Sequence, residues 1–135
     1  MAAAGVLVVF DPRASSHRAL ERAAALAAPL TVVALAPRDD RGSRCSFDGP
    51  DLDLAVQEAA ARDLGAARDQ LRGRAPEARF VALPASGPQE LARWAAAGGF
   101  TRVLVGARRG LLGVRLHDPL ARALAQAGID VSLVD

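Results

Sequence analysis

The sequence predicts an α/β domain: a doubly wound, five-stranded parallel sheet with helices on both faces. Short apolar runs rich in Val and Leu recur along the chain, and stretches with helical spacing of apolar residues separate them. The first of them, Val6 to Phe10, is continuously apolar rather than alternating, as in a strand covered by helices on both sides. Each intervening stretch is long enough for a right-handed parallel crossover. The 135 residues suit one domain that buries roughly two-thirds of the unfolded chain's surface.

Val6 to Phe10 is the first strand candidate, ending at Asp11-Pro12. Ser15 or Ser16 is expected to cap the next helix, where Leu20, Ala23, Ala24 and Ala27 share a face until Pro29. Leu30 to Leu35 is the second strand candidate. Residues 36–50 gather Pro, Gly, Asp, Arg and Ser without periodicity and read as a flexible loop. Val56, Ala60, Leu64, Ala67 and Leu71 then form one face of an amphipathic helix, with Asp51 or Asp53 as its expected cap and Gly73 and Pro76 marking its end. Ala78 to Leu83 is the third strand candidate. A short helix opens at Pro88-Gln89-Glu90 and stops at Gly98-Gly99, with Leu91, Trp94 and Ala95 on one face. Thr101 to Val105, Leu116 to Ala127 and Ile129 to Val134 complete the chain as strand, helix and strand. No repeat or linker divides it, and alternation alone leaves the strand order open.

Composition removes several function classes. The net charge is +2, and the 17 basic residues, all arginine, are interspersed with 15 acidic ones, which argues against a dedicated nucleic-acid binder. No apolar stretch of about 20 residues marks a membrane span, and the first residues lack the pattern of a secretory signal. A soluble cytoplasmic protein is expected. Cys45 is the single cysteine and has two histidines for company, so neither an intrachain disulfide nor a metal cluster is expected. The abundance of alanine blurs helical faces, so Leu, Val, Ile, Phe and Trp carry more weight in the reading.

Two stretches carry a resemblance. Val6-Leu7-Val8-Val9-Phe10-Asp11, a serine-containing turn and Arg18-Ala19-Leu20-Glu21-Arg22-Ala23 open the chain; Val103-Leu104-Val105-Gly106, an Arg/Gly loop, an alanine-rich helix and a valine-rich strand close it. Together they resemble the universal stress protein family, and the likeness extends over nearly the whole chain in element order. It implies an adenine nucleotide alpha hydrolase-like sheet of order 3-2-1-4-5 and a homodimer through the last strand, here Ile129, Val131, Leu133 and Val134. An edge strand with free backbone donors and acceptors has a physical reason to seek such a partner.

The resemblance also defines a candidate phosphate loop. ATP-binding members carry a glycine after the fourth strand, another three residues later, and a glycine followed by a hydroxyl residue at the next helix start. Gly106 matches the first position, but Arg109 stands at the second with Gly110 one residue late, and His117-Asp118 stands where glycine and hydroxyl are expected. Asp118 before Pro119 reads as a helix cap, which consumes amides that a nucleotide would need. Arg108, Arg109 and Arg115 are candidates for direct phosphate contact; surface solvation is the plainer reading of each. Asp11 matches the acidic residue of nucleotide-binding relatives, with Pro12 where they often have glycine, and is equally a turn or cap residue. Val33 to Ala36 can line a base pocket or simply pack in the core.

His17 and His117 lack a positioned nucleophile, Cys45 lacks a reactivity signature, and Trp94 reads as a packing residue. The leading expectation is a non-enzymatic stress-response regulatory or protein-interaction domain with lost or weakened ATP binding and no cofactor. The alternative is an adenine-nucleotide sensor or weak ATPase using Asp11, Gly106 and the loop arginines. A flavoprotein-like or phosphotransfer domain is a third candidate.

Overall fold

The computed structural model describes residues 5–11, 13–26, 28–37, 50–74, 77–85, 87–107 and 118–135. The strands are β1 (Val6–Val9), β2 (Leu30–Pro37), β3 (Arg79–Ala85), β4 (Arg102–Gly106) and β5 (Asp130–Val134). Between them run the helices α1 (Ala14–Ala24), α2 (Pro50–Gln70), α3 (Pro88–Ala97) and α4 (Pro119–Gln126). The sheet is parallel with order β3-β2-β1-β4-β5. The predicted fold class and the strand order implied by the family resemblance are both present.

Strand β1 is central and completely covered, because its side chains alternate between two apolar layers. Val6, Val8 and the following Phe10 join Leu20 of α1 and Ala60, Leu64 and Ala67 of α2. Leu7 and Val9 join Leu91 and Ala95 of α3 and Leu124 of α4. Each fully buried leucine or valine side chain contributes about 1.5–3 kcal/mol relative to exposure, so the continuous apolar run of β1 follows from facing both layers.

Several boundaries differ from the sequence expectation. Ala36 and Pro37, placed in the 36–50 loop, extend β2 and pair with Pro84 and Ala85 of β3, while Pro50 begins α2. Residues 38–49, Cys45 included, lie outside the described residues. Pro84 is tolerated because β3 is an edge strand, where a missing amide donor interrupts no interior ladder. Asp51 and Asp53 stand inside α2 rather than before it, since proline at the first helical position loses no intrahelical bond.

The start of α1 is also a correction. Its N-cap is Arg13, without a side-chain cap, and the Ser16 hydroxyl instead donates to Asp11 at 2.9 Å. At α4 the expected cap is present: the Asp118 carboxylate accepts from the amides of Leu120 at 3.0 Å and Ala121 at 3.2 Å.

Gly106 has a steric reason to be glycine. A β-carbon there would stand 2.6 Å from the Ser16 amide nitrogen, 2.7 Å from Ser15 Oγ and 2.8 Å from the Ser15 carbonyl carbon. Two of these atoms are backbone, so α1 itself would have to shift. Gly65, within α2, has nothing within 4 Å of such a carbon. Gly106→Ala should therefore destabilise by about 1–3 kcal/mol in urea unfolding, whereas Gly65→Ala should stabilise by up to about 1 kcal/mol. Equal midpoints for the two variants would contradict the close approach of α1. Asp118→Ala should lower stability by about 1 kcal/mol in the same measurement; an unchanged midpoint would show that the cap is energetically idle.

Candidate functional site

In a doubly wound sheet, ligands sit outside the carboxyl ends of the strands where the direction of winding reverses. Here β2 and β3 build outward on one side of β1, and β4 and β5 on the other, so the reversal lies between β1 and β4. Val9 and Val105 are register partners there. Asp11 follows the end of β1, and Gly106 is the last residue of β4. The sheet thus brings together these two sequence-predicted site residues, which are 95 positions apart in the chain.

Asp11 is held by its neighbours. Its Oδ1 accepts from the Arg13 amide at 2.9 Å, an Asx-type turn that directs the chain into α1. The Arg13 guanidinium adds Nε at 2.9 Å from each carboxylate oxygen and Nη2 at 2.6 Å from Oδ2. Ser16 is fully buried and contributes the hydroxyl already described. Burial pushes the Asp11 carboxyl up, but the hydrogen bonds from Arg13 and Ser16 and the guanidinium charge outweigh it, and the net shift is downward from the usual value. Asp11 is therefore ionised at neutral pH and fully engaged with donors. Arg13 Nη2 also reaches the Gly106 carbonyl at 3.4 Å, so one guanidinium spans the gap between the two strand ends.

Asp63 of α2 senses this site. Burial raises its carboxyl, the negative charge of Asp11 raises it further, and Arg62 offsets part of the change. His17, considered above as an acid or base, faces elsewhere. Gln70 Nε2 donates to the His17 carbonyl at 2.9 Å and to Glu21 at 3.2 Å, leaving Gln70 Oε1 to accept from His17 Nδ1 at 2.5 Å. The Phe10 ring meets His17 edge-on at 5.0 Å. The histidine thus ties α1 to α2. Trp94 stacks on Phe100 at 5.7 Å and packs against the α3/α4 layer.

Arg108, Arg109, Gly110, Arg115 and His117 lie outside the described residues, as does Pro12. Arg13 and Ser16 are the site residues that the sequence reading missed. The Asp-x-Arg spacing, compatible with a local carboxylate turn, was the one available signal. A 410 Å³ cleft lies at the opposite end of the sheet, lined by Arg68, Arg72, Ala78 and Phe80 among others, where Arg68 covers the Phe80 ring at 4.8 Å. Among the described residues, no group of three or more His, Cys, Asp or Glu side chains is arranged to hold a metal, and no helix is long and apolar enough to cross a membrane.

Among solved structures, the universal stress protein of Archaeoglobus fulgidus in complex with dAMP shares 21% identity at a TM-score of 0.72, covering 100% of both chains. A universal stress protein in complex with cAMP shares 23% at 0.66, covering 98% of each chain. A family protein from Burkholderia pseudomallei shares 24% at 0.67, covering 96% of this chain and 94% of the other. No curated protein matches the chain by sequence. These likenesses establish the fold, and the model of the universal stress protein family matches residues 5–135: the chain belongs to the universal stress protein family.

Proposed function

We propose that the chain is a non-enzymatic regulatory domain that binds an adenine nucleotide weakly in the crevice between the carboxyl ends of β1 and β4. The observation that carries this reading is the juxtaposition of Asp11 and Gly106 at the reversal of the sheet. Asp11 offers an ionised acceptor for the hydroxyl or amino groups of an adenosine moiety, and the chain end of β4 offers backbone at close range. Relatives of this fold in complex with dAMP and cAMP support the ligand class. Weakness follows from two features. The first-turn amides of Leu120 and Ala121 are already taken by Asp118, and the Asp11 carboxylate is already saturated by Arg13 and Ser16.

That saturation also favours a second reading, an interaction domain that works without nucleotide. A dimer through the free edge of β5 belongs to both readings. Strand β5 pairs only with β4 among the described strands, which leaves its other backbone edge open to a second copy.

Titration with dAMP followed by backbone amide NMR separates the readings. Saturable one-site binding with Kd between about 1 μM and 1 mM, moving the signals of Asp11, Ser16, Gly106 and Ala107 together, is expected. Absence of saturation at millimolar dAMP, or shifts confined to the cleft around Phe80, would favour the nucleotide-free reading. ATP incubated with stoichiometric protein should be recovered intact; sustained conversion to ADP or AMP would point to a hydrolase instead. Sedimentation at micromolar concentration should give the mass of a dimer, and a monomer alone would count against pairing through β5.

A further inference from the structure

We propose that Arg13 is a latch on the crevice: its guanidinium holds Asp11 and spans to Gly106 in the free protein, and must swing away for an adenosine moiety to reach Asp11. This rests on the crevice being the nucleotide site.

The stoichiometry of acceptors carries the argument. A carboxylate has about four lone-pair sites. At Asp11 they meet the Arg13 amide, the Ser16 hydroxyl, Arg13 Nη2 and an Arg13 Nε shared between both oxygens. A ligand donor can join only by replacing one of these. The amide and the buried Ser16 hydroxyl belong to the turn and first turn of α1, and α1 is braced against Gly106, so their removal would dismantle the helix start. The guanidinium is tethered only by its own side chain, which is 35% exposed, and it can rotate out without disturbing the backbone.

Position and incomplete satisfaction point the same way. Arg13 Nη2 reaches Gly106 O across the gap between β1 and β4, so the side chain occupies the space through which a ligand would approach both residues. Arg13 Nη1 is buried and meets no acceptor among the described residues. A buried donor without a partner makes the closed arrangement less favourable than its ion pair alone would suggest, which leaves the closed state displaceable. Apparent affinity for a ligand that requires the open state is reduced by the fraction of molecules that are open.

The test compares the intact chain with Arg13→Met and Arg13→Lys by calorimetric titration with adenosine and, separately, AMP. Methionine keeps the apolar stem, and the Arg13 amide and Ser16 contacts to Asp11 remain, so the start of α1 is preserved; lysine keeps the charge but lacks the two-pronged fork. Arg13→Met should bind both ligands at least about tenfold tighter, with Arg13→Lys intermediate, and the lysine variant alone decides the direction if the methionine variant does not fold. Unchanged affinity would overturn the latch while leaving the nucleotide reading intact. Weaker AMP binding with unchanged adenosine binding would make Arg13 a phosphate ligand, also overturning it. No binding of either ligand by any of the three proteins would overturn the nucleotide reading itself, and the latch with it.

Discussion

The N-terminus of α1 is pressed against the last residue of β4, and this contact organises the carboxyl end of the sheet. Gly106 permits it because no side chain stands between the strand and the Ser15–Ser16 backbone. With α1 seated there, Ser16 is buried beneath the Asp11 turn and its hydroxyl bonds the carboxylate. Arg13, at the N-cap position of α1, is then within reach of both strand ends. The same contact therefore sets the geometry of the helix start, the hydrogen bonds on Asp11 and the reach of Arg13 to Gly106. A larger residue at position 106 would displace the start of α1 and with it these contacts, because two of the three obstructing atoms are main chain.

A consequence is that one glycine can be demanded for two reasons. Gly106 stands where the family resemblance places the first glycine of a phosphate loop, yet its neighbours in this chain already explain it by packing alone. Asp11 is similar: an acidic residue at the end of a first strand, here engaged by an Asx turn, a buried hydroxyl and a forked guanidinium. The carboxylate at the end of the first strand is thus retained while it is satisfied internally. An arginine that neutralises Asp11 also removes an unpaired negative charge from the approach of an anionic ligand. If the crevice receives a nucleotide as proposed, Arg13 both offsets the charge of Asp11 and has to move aside.

The fold was legible because strands covered on both faces are mostly apolar: Val6 to Phe10 and Val103 to Val105 are so throughout, and Leu30 to Leu35 is interrupted only by Thr31. Strand ends were less legible. Ala36 and Pro37 look like loop in sequence, and only pairing with Pro84 and Ala85 makes them strand. Of the site, Asp11 and Gly106 were visible through the family resemblance, whereas Arg13 and Ser16 were not. In a chain with 17 basic residues, all arginine, no single arginine stands out, and Arg13 gains its meaning only when β4 brings the Gly106 carbonyl alongside. Ser16 is a residue type suited to a cap, but it is the third residue of α1 and its hydroxyl turns back to Asp11. The cap at Asp118 was legible because Asp-Pro signals it locally. Arg108, Arg109, Gly110 and Arg115 stay as the family resemblance presents them.

On the proposal that the crevice between β1 and β4 receives an adenosine moiety when Arg13 leaves Asp11, a crystal structure of the protein grown with dAMP is decisive. The nucleotide should lie beside Asp11 and Gly106, with the Arg13 guanidinium rotated off the carboxylate and the turn from Asp11 to Ser16 otherwise unchanged. A nucleotide lodged elsewhere, such as the cleft around Phe80, or one bound in the crevice with Arg13 still forked onto Asp11, would contradict it.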